Sequence, residues 1–233
     1  WSWSRGLGDV YKRQILNWSY YINPNWHTKL SIAKTGFSSR YYSKLFNGDM
    51  DVLPVQSTNE KNIFFEEIYG IYQRINLIPN HQIEFGINRS ILSSNYQTNR
   101  TSQSDSEQFK LSQNGYLQSI YLQDDWSFSK QIKINLGFRN TYYSNTNTNY
   151  FMPRLSLSYN ITPTIKFESA FGKYEQYVHQ FNSPMSTRGT KGTWLISEGN
   201  IPVISANSSH KSFSSKNSFY DASISYYQRN SSG

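Results

Sequence analysis

The fold is decided by residues 121–177, which read YLQDDWSFSKQIKINLGFRNTYYSNTNTNYFMPRLSLSYNITPTIKFESAFGKYEQY. Nearly every second residue of 132–138, 155–161 and 165–171 is apolar, and those between are polar or small. Side chains on a strand point alternately to opposite faces, so each run predicts a strand with one apolar and one polar face. Polar breaks at 129–131 and 162–164 suit tight turns. The stretch therefore predicts four consecutive antiparallel strands.

Two environments fit an apolar face of this kind. In a soluble sandwich it packs against a second sheet, whereas in an outer-membrane barrel it contacts lipid and the polar face lines a lumen. Aromatic residues collect near the predicted strand ends, and amphipathic rings are enriched at membrane–water boundaries. They are Trp126, Phe128, Tyr142, Tyr143, Tyr150 and Phe151. Their position favours the membrane environment.

The predicted connections alternate in length along the whole chain. Short breaks at 23–26, 78–81, 129–131 and 162–164 are separated by longer polar segments at 37–62, 93–115, 144–149 and 174–204. Outer-membrane barrels join their strands by short periplasmic turns and longer extracellular loops, whereas a Greek-key sandwich has no reason to alternate. The pattern predicts up-and-down strands, with Trp126 and 162–164 toward the periplasm and Tyr143–Tyr150 and Tyr174 toward the outside.

The composition agrees with a barrel wall. Aromatic residues make up 17% of the 233 residues although only 36% are hydrophobic, which fits a polar lumen flanked by aromatic girdles. The formal net charge is +8, but the basic residues are scattered and form no nucleic-acid motif, so no nucleic-acid partner is expected. The chain has no Cys and no stretch of eighteen apolar residues that predicts a transmembrane helix.

Four short motifs resemble the barrel domain of TonB-dependent outer-membrane receptors. In order they are YLQDDW at 121–126, LGFR at 136–139, PRLSLSY at 153–159 and FGKY at 171–174. The last has Phe171 where the family usually has another aromatic, and 201–203 reads IPV without the family's acid or amide. The resemblance covers about residues 15–230. It implies an all-β, antiparallel up-and-down transmembrane barrel in the bacterial outer membrane, of which this chain holds about ten strands.

The resemblance also implies a function. Such receptors take up a scarce nutrient (an iron chelate, cobalamin or an oligomer) into the periplasm. The implied partners are outer-membrane lipid, the nutrient ligand, and the TonB energy-coupling complex, which acts through a plug missing from this chain. Two alternatives remain open: a smaller self-contained outer-membrane channel or adhesin-like barrel without energy coupling, and a soluble β-sandwich binding module.

Both ends of the sequence are predicted to lie outside the barrel domain. Residues 1–14 are interpreted as a non-native leader, because GLGDVYKRQ resembles a translated adapter and does not join the alternation. Residues 15–230 are predicted to form the partial barrel domain, and residues 231–233 a truncated end.

No catalytic, cofactor or metal site is expected, since the four histidines share no metal-ligand spacing and no catalytic motif is present. Ligand contacts are instead expected in the predicted extracellular loop 174–204, because loops on rigid scaffolds often carry binding. The candidates are Tyr174, Tyr177, His179, Phe181, Arg188 and Trp194. Arg139 and Arg154 are interpreted as members of a polar wall network, and Asp124 and Asp125 as strand-end residues near a periplasmic turn.

Overall fold

A computed structural model describes residues 2–6, 10–46, 54–76, 78–182 and 192–233. The chain in these ranges folds almost entirely into strands. They are β1 (Ser2–Gly6), β2 (Val10–Asn23), β3 (Trp26–Leu45), β4 (Gln56–Ile75), β5 (His81–Ser102), β6 (Ser106–Trp126), β7 (Ile132–Tyr143), β8 (Thr148–Asn160), β9 (Ile165–Gln176), β10 (Val178–Asn182), β11 (Gly192–Ile196), β12 (Ile204–Lys216) and β13 (Asp221–Ser232). Within the described ranges, no helix is long and apolar enough to cross a membrane.

Eleven of the strands form one antiparallel sheet. From β3 to β9 each strand pairs with the next along the chain, and the sheet continues through β12 to β13. Both β1 and β2 pair with β3, one after the other along the same edge. The remaining two strands, β10 and β11, form a separate hairpin within the β9–β12 connection. The predicted all-β, up-and-down antiparallel fold is confirmed.

Five short turns lie at one end of the sheet. They cover residues 24–25, 76 with 78–80, 127–131, 161–164 and 217–220. At 161–164 the hydroxyl of Thr162 accepts hydrogen bonds from the backbone N–H of Thr164 (3.3 Å) and Ile165 (3.0 Å). The hydroxyl of Ser129 accepts from Gln131 (3.2 Å) and Ile132 (3.1 Å) in the same way. Short polar side chains therefore close the turns, as the sequence predicts.

The predicted long loops at 37–62 and 93–115 are wrong. Strands β3, β4, β5 and β6 continue through most of these segments and are 20, 20, 22 and 21 residues long, and only 103–105 separates β5 from β6. At ~3.3 Å per residue such strands extend well beyond a hydrocarbon core of ~30 Å, even when tilted. In the parts of β3 to β6 that extend beyond the membrane, backbone hydrogen bonds between strands keep residues such as Ser, Asn, Gln and Lys in β-structure. Neither face contacts lipid there, so neither face needs to be apolar. The predicted alternation of connection lengths is therefore wrong at two places, because only 103–105 joins β5 to β6 and only 144–147 joins β7 to β8. What distinguishes this end of the sheet is the length of strands β3 to β6 and the long β9–β12 connection.

One face of the sheet carries the apolar band. Leu30, Ile71, Ile87 and Ile120 lie on one hydrogen-bonded row across β3 to β6, and all four side chains are exposed. This row continues to Phe151 on β8, whereas exposed Phe213 on β12 lies in the row of Tyr159, eight residues nearer the short turns. A band that drifts across the rows is what tilted strands produce. We name this the outer face and the opposite one the lumen face.

The sheet is open at both edges. Within the described residues β2 pairs only with β3, β13 pairs only with β12, and every residue of both edge strands is exposed. Residues 10–14 lie in β2, where Val10 pairs with Ser38 and Gln14 with Lys34, so they do join the sheet. Their origin as part of a non-native leader stays a prediction.

Candidate functional site

The candidate site lies where the β10–β11 hairpin folds onto the lumen face, at the end of the sheet opposite the short turns. The main buried apolar cluster of the described chain forms at this contact. It comprises Phe37, Phe64, Leu92, Tyr143, Tyr177 and Ile196. Because this cluster joins wall and hairpin, apolar burial here serves to hold the loop against the wall.

Side chains from four neighbouring strands hydrogen-bond to the backbone of β11 and to Ser197, the residue after it. Asn62 on β4 accepts from the Trp194 N–H at 2.9 Å, and the Ser94 hydroxyl on β5 donates to the Trp194 carbonyl at 2.6 Å. Gln113 on β6 donates to the Ile196 carbonyl at 2.9 Å and accepts from its N–H at 3.0 Å. Tyr143 on β7 donates to the Ser197 carbonyl at 2.6 Å. We call these four residues the hairpin clamp.

β11 pairs with β10 along one edge only. Along its other edge, the hairpin clamp supplies the hydrogen bonds that a neighbouring strand would otherwise provide. Asn62, Ser94, Gln113 and Tyr143 are each less than 9% exposed. Buried backbone N–H and C=O groups require hydrogen-bond partners, and the amide of Gln113 satisfies one of each on a single residue. The hairpin is therefore held in one register on the wall.

Aromatic rings fill the space beside the clamp. Trp194 lies 5.8 Å from Phe64 and 6.1 Å from Phe37, measured between ring centroids. Tyr177 contacts Tyr143 at 5.0 Å and Tyr150 at 5.5 Å. Burial raises the pKa of the Tyr177 phenol, so the ring stays neutral in the packed loop.

His179 connects the start of the hairpin to residues 197–202, which follow β11. Its Nε2 lies 2.8 Å from the Ser197 hydroxyl and 3.0 Å from the Pro202 carbonyl. A carbonyl only accepts, so the geometry requires the proton on Nε2. Ser197 also donates to the Pro202 carbonyl at 3.0 Å. These contacts connect the start of the hairpin to the segment that leads into β12.

The six predicted ligand contacts separate into three groups. Tyr177 (9% exposed), His179 (6% exposed) and Trp194 anchor the hairpin to the wall or to its own return. Tyr174 and Phe181 are 43% and 49% exposed and remain accessible. Arg188 lies outside the described residues. As ligand contacts, all six stay predictions.

Two arginines of the lumen face lie against tyrosine rings. The Arg154 guanidinium lies 5.1 Å from the Tyr174 ring centroid, and that of Arg139 lies 5.6 Å from Tyr121. Among the described carboxylates, none forms an ion pair with either arginine. Cation–π contacts of this kind stabilise a guanidinium by about 0.5–2 kcal/mol, depending on exposure. These contacts lie within the wall, beside exposed Tyr174.

The carboxylates near the short turns have local partners. Asp124 lies 2.7 Å from His81 Nδ1, and Asp125 accepts hydrogen bonds from Asn135 and Gln123. In the part of the chain that the structure describes, no cluster of three or more His, Cys, Asp or Glu side chains could hold a metal ion.

Sequence reasoning missed the hairpin clamp. Asn62 and Trp194 are 132 positions apart, and Gln113 and Ile196 are 83 apart. Asn62, Ser94 and Gln113 also fall in the segments predicted as loops. The available signal was the alternation of side chains along each strand. When the strands are extended through these segments, Asn62, Ser94 and Gln113 lie on the same lumen face as Phe64 and Leu92.

An open antiparallel sheet with a lipid-type apolar band outside and a loop folded against its inner face is part of the wall of an outer-membrane receptor barrel. The sequence profile described as "TonB dependent receptor-like, beta-barrel" matches residues 1–231. The chain therefore belongs to the TonB-dependent receptor barrel family, and its location is the bacterial outer membrane. A search of curated protein sequences finds no significant match.

Solved structures of receptors and transporters share the fold. The ferric yersiniabactin uptake receptor FyuA from Yersinia pestis matches with a TM-score of 0.69 at 10% identity, over 96% of this chain and 36% of that chain. The copper transporter OprC matches with a TM-score of 0.68 at 8% identity, over 96% and 39%. The RagAB peptide transporter matches with a TM-score of 0.59 at 11% identity, over 96% and 30%. This chain spans about a third of the length of these proteins.

Proposed function

We propose that the chain is part of the barrel wall of a receptor that takes up a scarce nutrient into the periplasm. The β10–β11 hairpin carries this proposal. It crosses the lumen face at the predicted extracellular end and is held there by side chains from β4 to β7. A loop fixed inside the mouth narrows the path to the lumen and presents side chains to an arriving ligand.

The proposed nutrient is an iron chelate, cobalamin or an oligomer. The similarity to OprC adds a copper ion to these candidate nutrients. Receptors with this fold include proteins named for ferric yersiniabactin, copper and peptide. Tyr174 and Phe181, whose side chains stay exposed, are the proposed contacts of the described chain. Arg188, which lies outside the described residues, is a third proposed contact. Uptake is coupled to the TonB complex through a plug outside this chain.

The test compares cells that lack the gene with cells that express it again. Four probes are offered separately: a radiolabelled ferric siderophore, labelled cobalamin, a fluorescent oligopeptide and copper ions. We expect accumulation of one probe to require the gene and to stop when a protonophore removes the proton-motive force. Accumulation that continues with the protonophore present would establish the passive-channel alternative. No dependence on the gene for any of the four probes would refute the proposed nutrient classes.

Matched variants then examine the site in cells with an active probe. Tyr174→Ala and Phe181→Ala remove exposed rings without touching the hairpin clamp, so they are expected to weaken uptake of that probe. Phe213→Ala removes a ring that is 44% exposed on the outer face of β12, away from the lumen, and it serves as the control. Equal uptake by all three variants would exclude Tyr174 and Phe181 as ligand contacts.

A further inference from the structure

Two arginines lie side by side on the lumen face. Gly137 on β7 pairs with Arg154 on β8, and Arg139 lies two residues further along β7 on the same face. Diagonal neighbours of this kind are ~7–8 Å apart. The two guanidinium groups are close enough to repel each other, and the other groups of the described chain that act on Arg139 are tyrosine phenols. We call Arg139 and Arg154 the lumen arginine pair.

The lumen-face carboxylates of the nearby strands have other partners. Glu84 on β5 forms an ion pair with Arg74 at 2.6 Å, and Glu168 on β9 forms one with Lys166 at 2.5 Å. Asp125 on β6 accepts hydrogen bonds from two side-chain amides. Among the residues that the structure describes, none therefore supplies a counter-charge to the lumen arginine pair.

The hairpin loop covers the pair from the side away from the short turns. Thr141 and Tyr150 form the lumen-face row next to that of Arg139 and Met152, ~7 Å nearer to the hairpin. The ring of Tyr177 packs on Tyr150 at 5.5 Å. Its buried hydroxyl lies beside the Thr141 hydroxyl, but it makes no hydrogen bond of normal geometry to the described part of the chain. Since this hydroxyl also acts on Arg139, it offers a free donor to the same place.

Tyr174 brings a second hydroxyl to the pair. Gly172 on β9 pairs with Arg154, and a Cβ at this glycine would lie 2.7 Å from the Tyr174 hydroxyl oxygen. The absence of a side chain at Gly172 therefore lets the Tyr174 ring lie along the wall, with its centroid 5.1 Å from the Arg154 guanidinium. Both Tyr174 and Arg154 are exposed on the lumen face.

An oxyanion is the ligand that this arrangement fits. A guanidinium donates paired, charge-assisted hydrogen bonds to a carboxylate, and phenol hydroxyls can donate to its remaining lone pairs. Two cations held together on one face repel each other until an anion lies between them. A solute that passes the hairpin meets this group of donors next, because the pair lies on the lumen wall directly beyond it.

We propose that the lumen arginine pair binds a carboxylate group of the nutrient once the nutrient has passed the β10–β11 hairpin. The hydroxyls of Tyr174 and Tyr177 donate to the same carboxylate from the hairpin side. This inference rests on the proposed function and narrows it: the nutrient is an iron chelate or an oligomer that carries a free acid group, and a free copper ion is excluded.

The experiment measures binding to the longer receptor that contains this chain, purified in a mild detergent, by isothermal titration calorimetry. Two matched pairs of probes differ only in charge. The first is a ferric chelate with a carboxylate outside its iron-binding groups, together with its methyl ester. The second is a pentapeptide rich in glutamate with an amidated end, together with the same peptide carrying glutamine instead.

The test variant combines Arg139→Gln with Arg154→Gln. The control variant combines Lys29→Gln with Lys133→Gln, which removes two other cations of the lumen face and therefore changes the net charge equally. Circular dichroism confirms that each variant retains its sheet. Arg154→Gln alone changes an exposed side chain, so it tests the site even if the test variant does not fold.

We expect the unmodified receptor to bind one acidic probe at least about tenfold more tightly than its neutral partner, and this preference should weaken as salt is raised. The control variant should keep the preference, the test variant should lose it, and Arg154→Gln should reduce it. Equal affinity for the acidic and neutral members of both pairs, or no binding of either acidic probe, would overturn the proposal. A folded test variant with its preference intact and a lower unfolding temperature would also overturn it, because the arginines would then pair with a carboxylate of the receptor itself.

This binding experiment and the uptake experiment fail separately. Binding to the purified receptor needs no proton-motive force, so an arginine-dependent preference without gene-dependent uptake would support the site and refute the uptake function. Gene-dependent uptake of a neutral probe as efficient as that of its acidic partner would support uptake and overturn the carboxylate site.

Discussion

At the scale of single residues, Gln113 is the decisive member of the hairpin clamp. It is 3% exposed, and both its amide N and its amide O bond to the backbone of Ile196, which is fully buried. Gln113→Leu keeps a similar volume but leaves one buried N–H and one buried C=O unpaired. Each such group costs ~1–3 kcal/mol. We expect faster amide hydrogen exchange in 192–196, measured by mass spectrometry, while exchange in β7 to β9 stays unchanged.

A matched substitution on the same strand provides the control for Gln113. Gln108 on β6 is exposed on the outer face, so Gln108→Leu removes a similar amide without leaving a buried group unpaired. Exchange in 192–196 should then match the unmodified protein. If Gln113→Leu also left this exchange unchanged, Gln113 would not hold the hairpin.

At the scale of elements, the sequence predicts the strand segments that face lipid. It misses the segments of the same strands that extend beyond the membrane. Alternation in 132–138 and 155–161 identifies β7 and β8 because lipid requires every second side chain to be apolar. Beyond the membrane that requirement ends, so the Ser, Asn and Thr residues of 93–102 are typical of a loop in the sequence, although backbone pairing continues through β5. The hairpin clamp was unpredictable for a further reason: its hydrogen bonds join residues distant in sequence that only the sheet register brings together.

The protruding strands lead to a prediction about topology. The chain has no Cys, so a single cysteine placed in it is the only labelling site within these 233 residues, and the unsubstituted receptor gives the background. Gln108→Cys, on the exposed extension of β6, should react in intact cells with a maleimide that cannot cross membranes. Thr162→Cys, in an exposed turn at the opposite end, should react only after the outer membrane is permeabilised. The reverse labelling pattern would mean that the barrel has the opposite orientation.

The hairpin itself can be tested by the same chemistry. Leu92 on β5 is 1% exposed in the cluster that joins wall and hairpin. We expect Leu92→Cys to be protected from the maleimide in the intact protein. When residues 178–197 are replaced by a short Gly-Ser linker, Leu92→Cys should react at a rate that approaches that of Gln108→Cys. Continued protection would show that something other than the hairpin covers Leu92.

At the scale of the whole molecule, the open sheet limits what this chain can do alone. The β2 and β13 edges have no strand partner among the described residues, and lipid cannot satisfy their backbone groups. We therefore expect the isolated 233-residue chain not to insert as a stable closed barrel. Closed barrels resist detergent and migrate faster on gels before heating than after it. The isolated chain should migrate identically with and without heating, whereas the longer receptor that contains it should shift. A heat-dependent shift of the isolated chain would require its two edges to pair, either with each other or between copies.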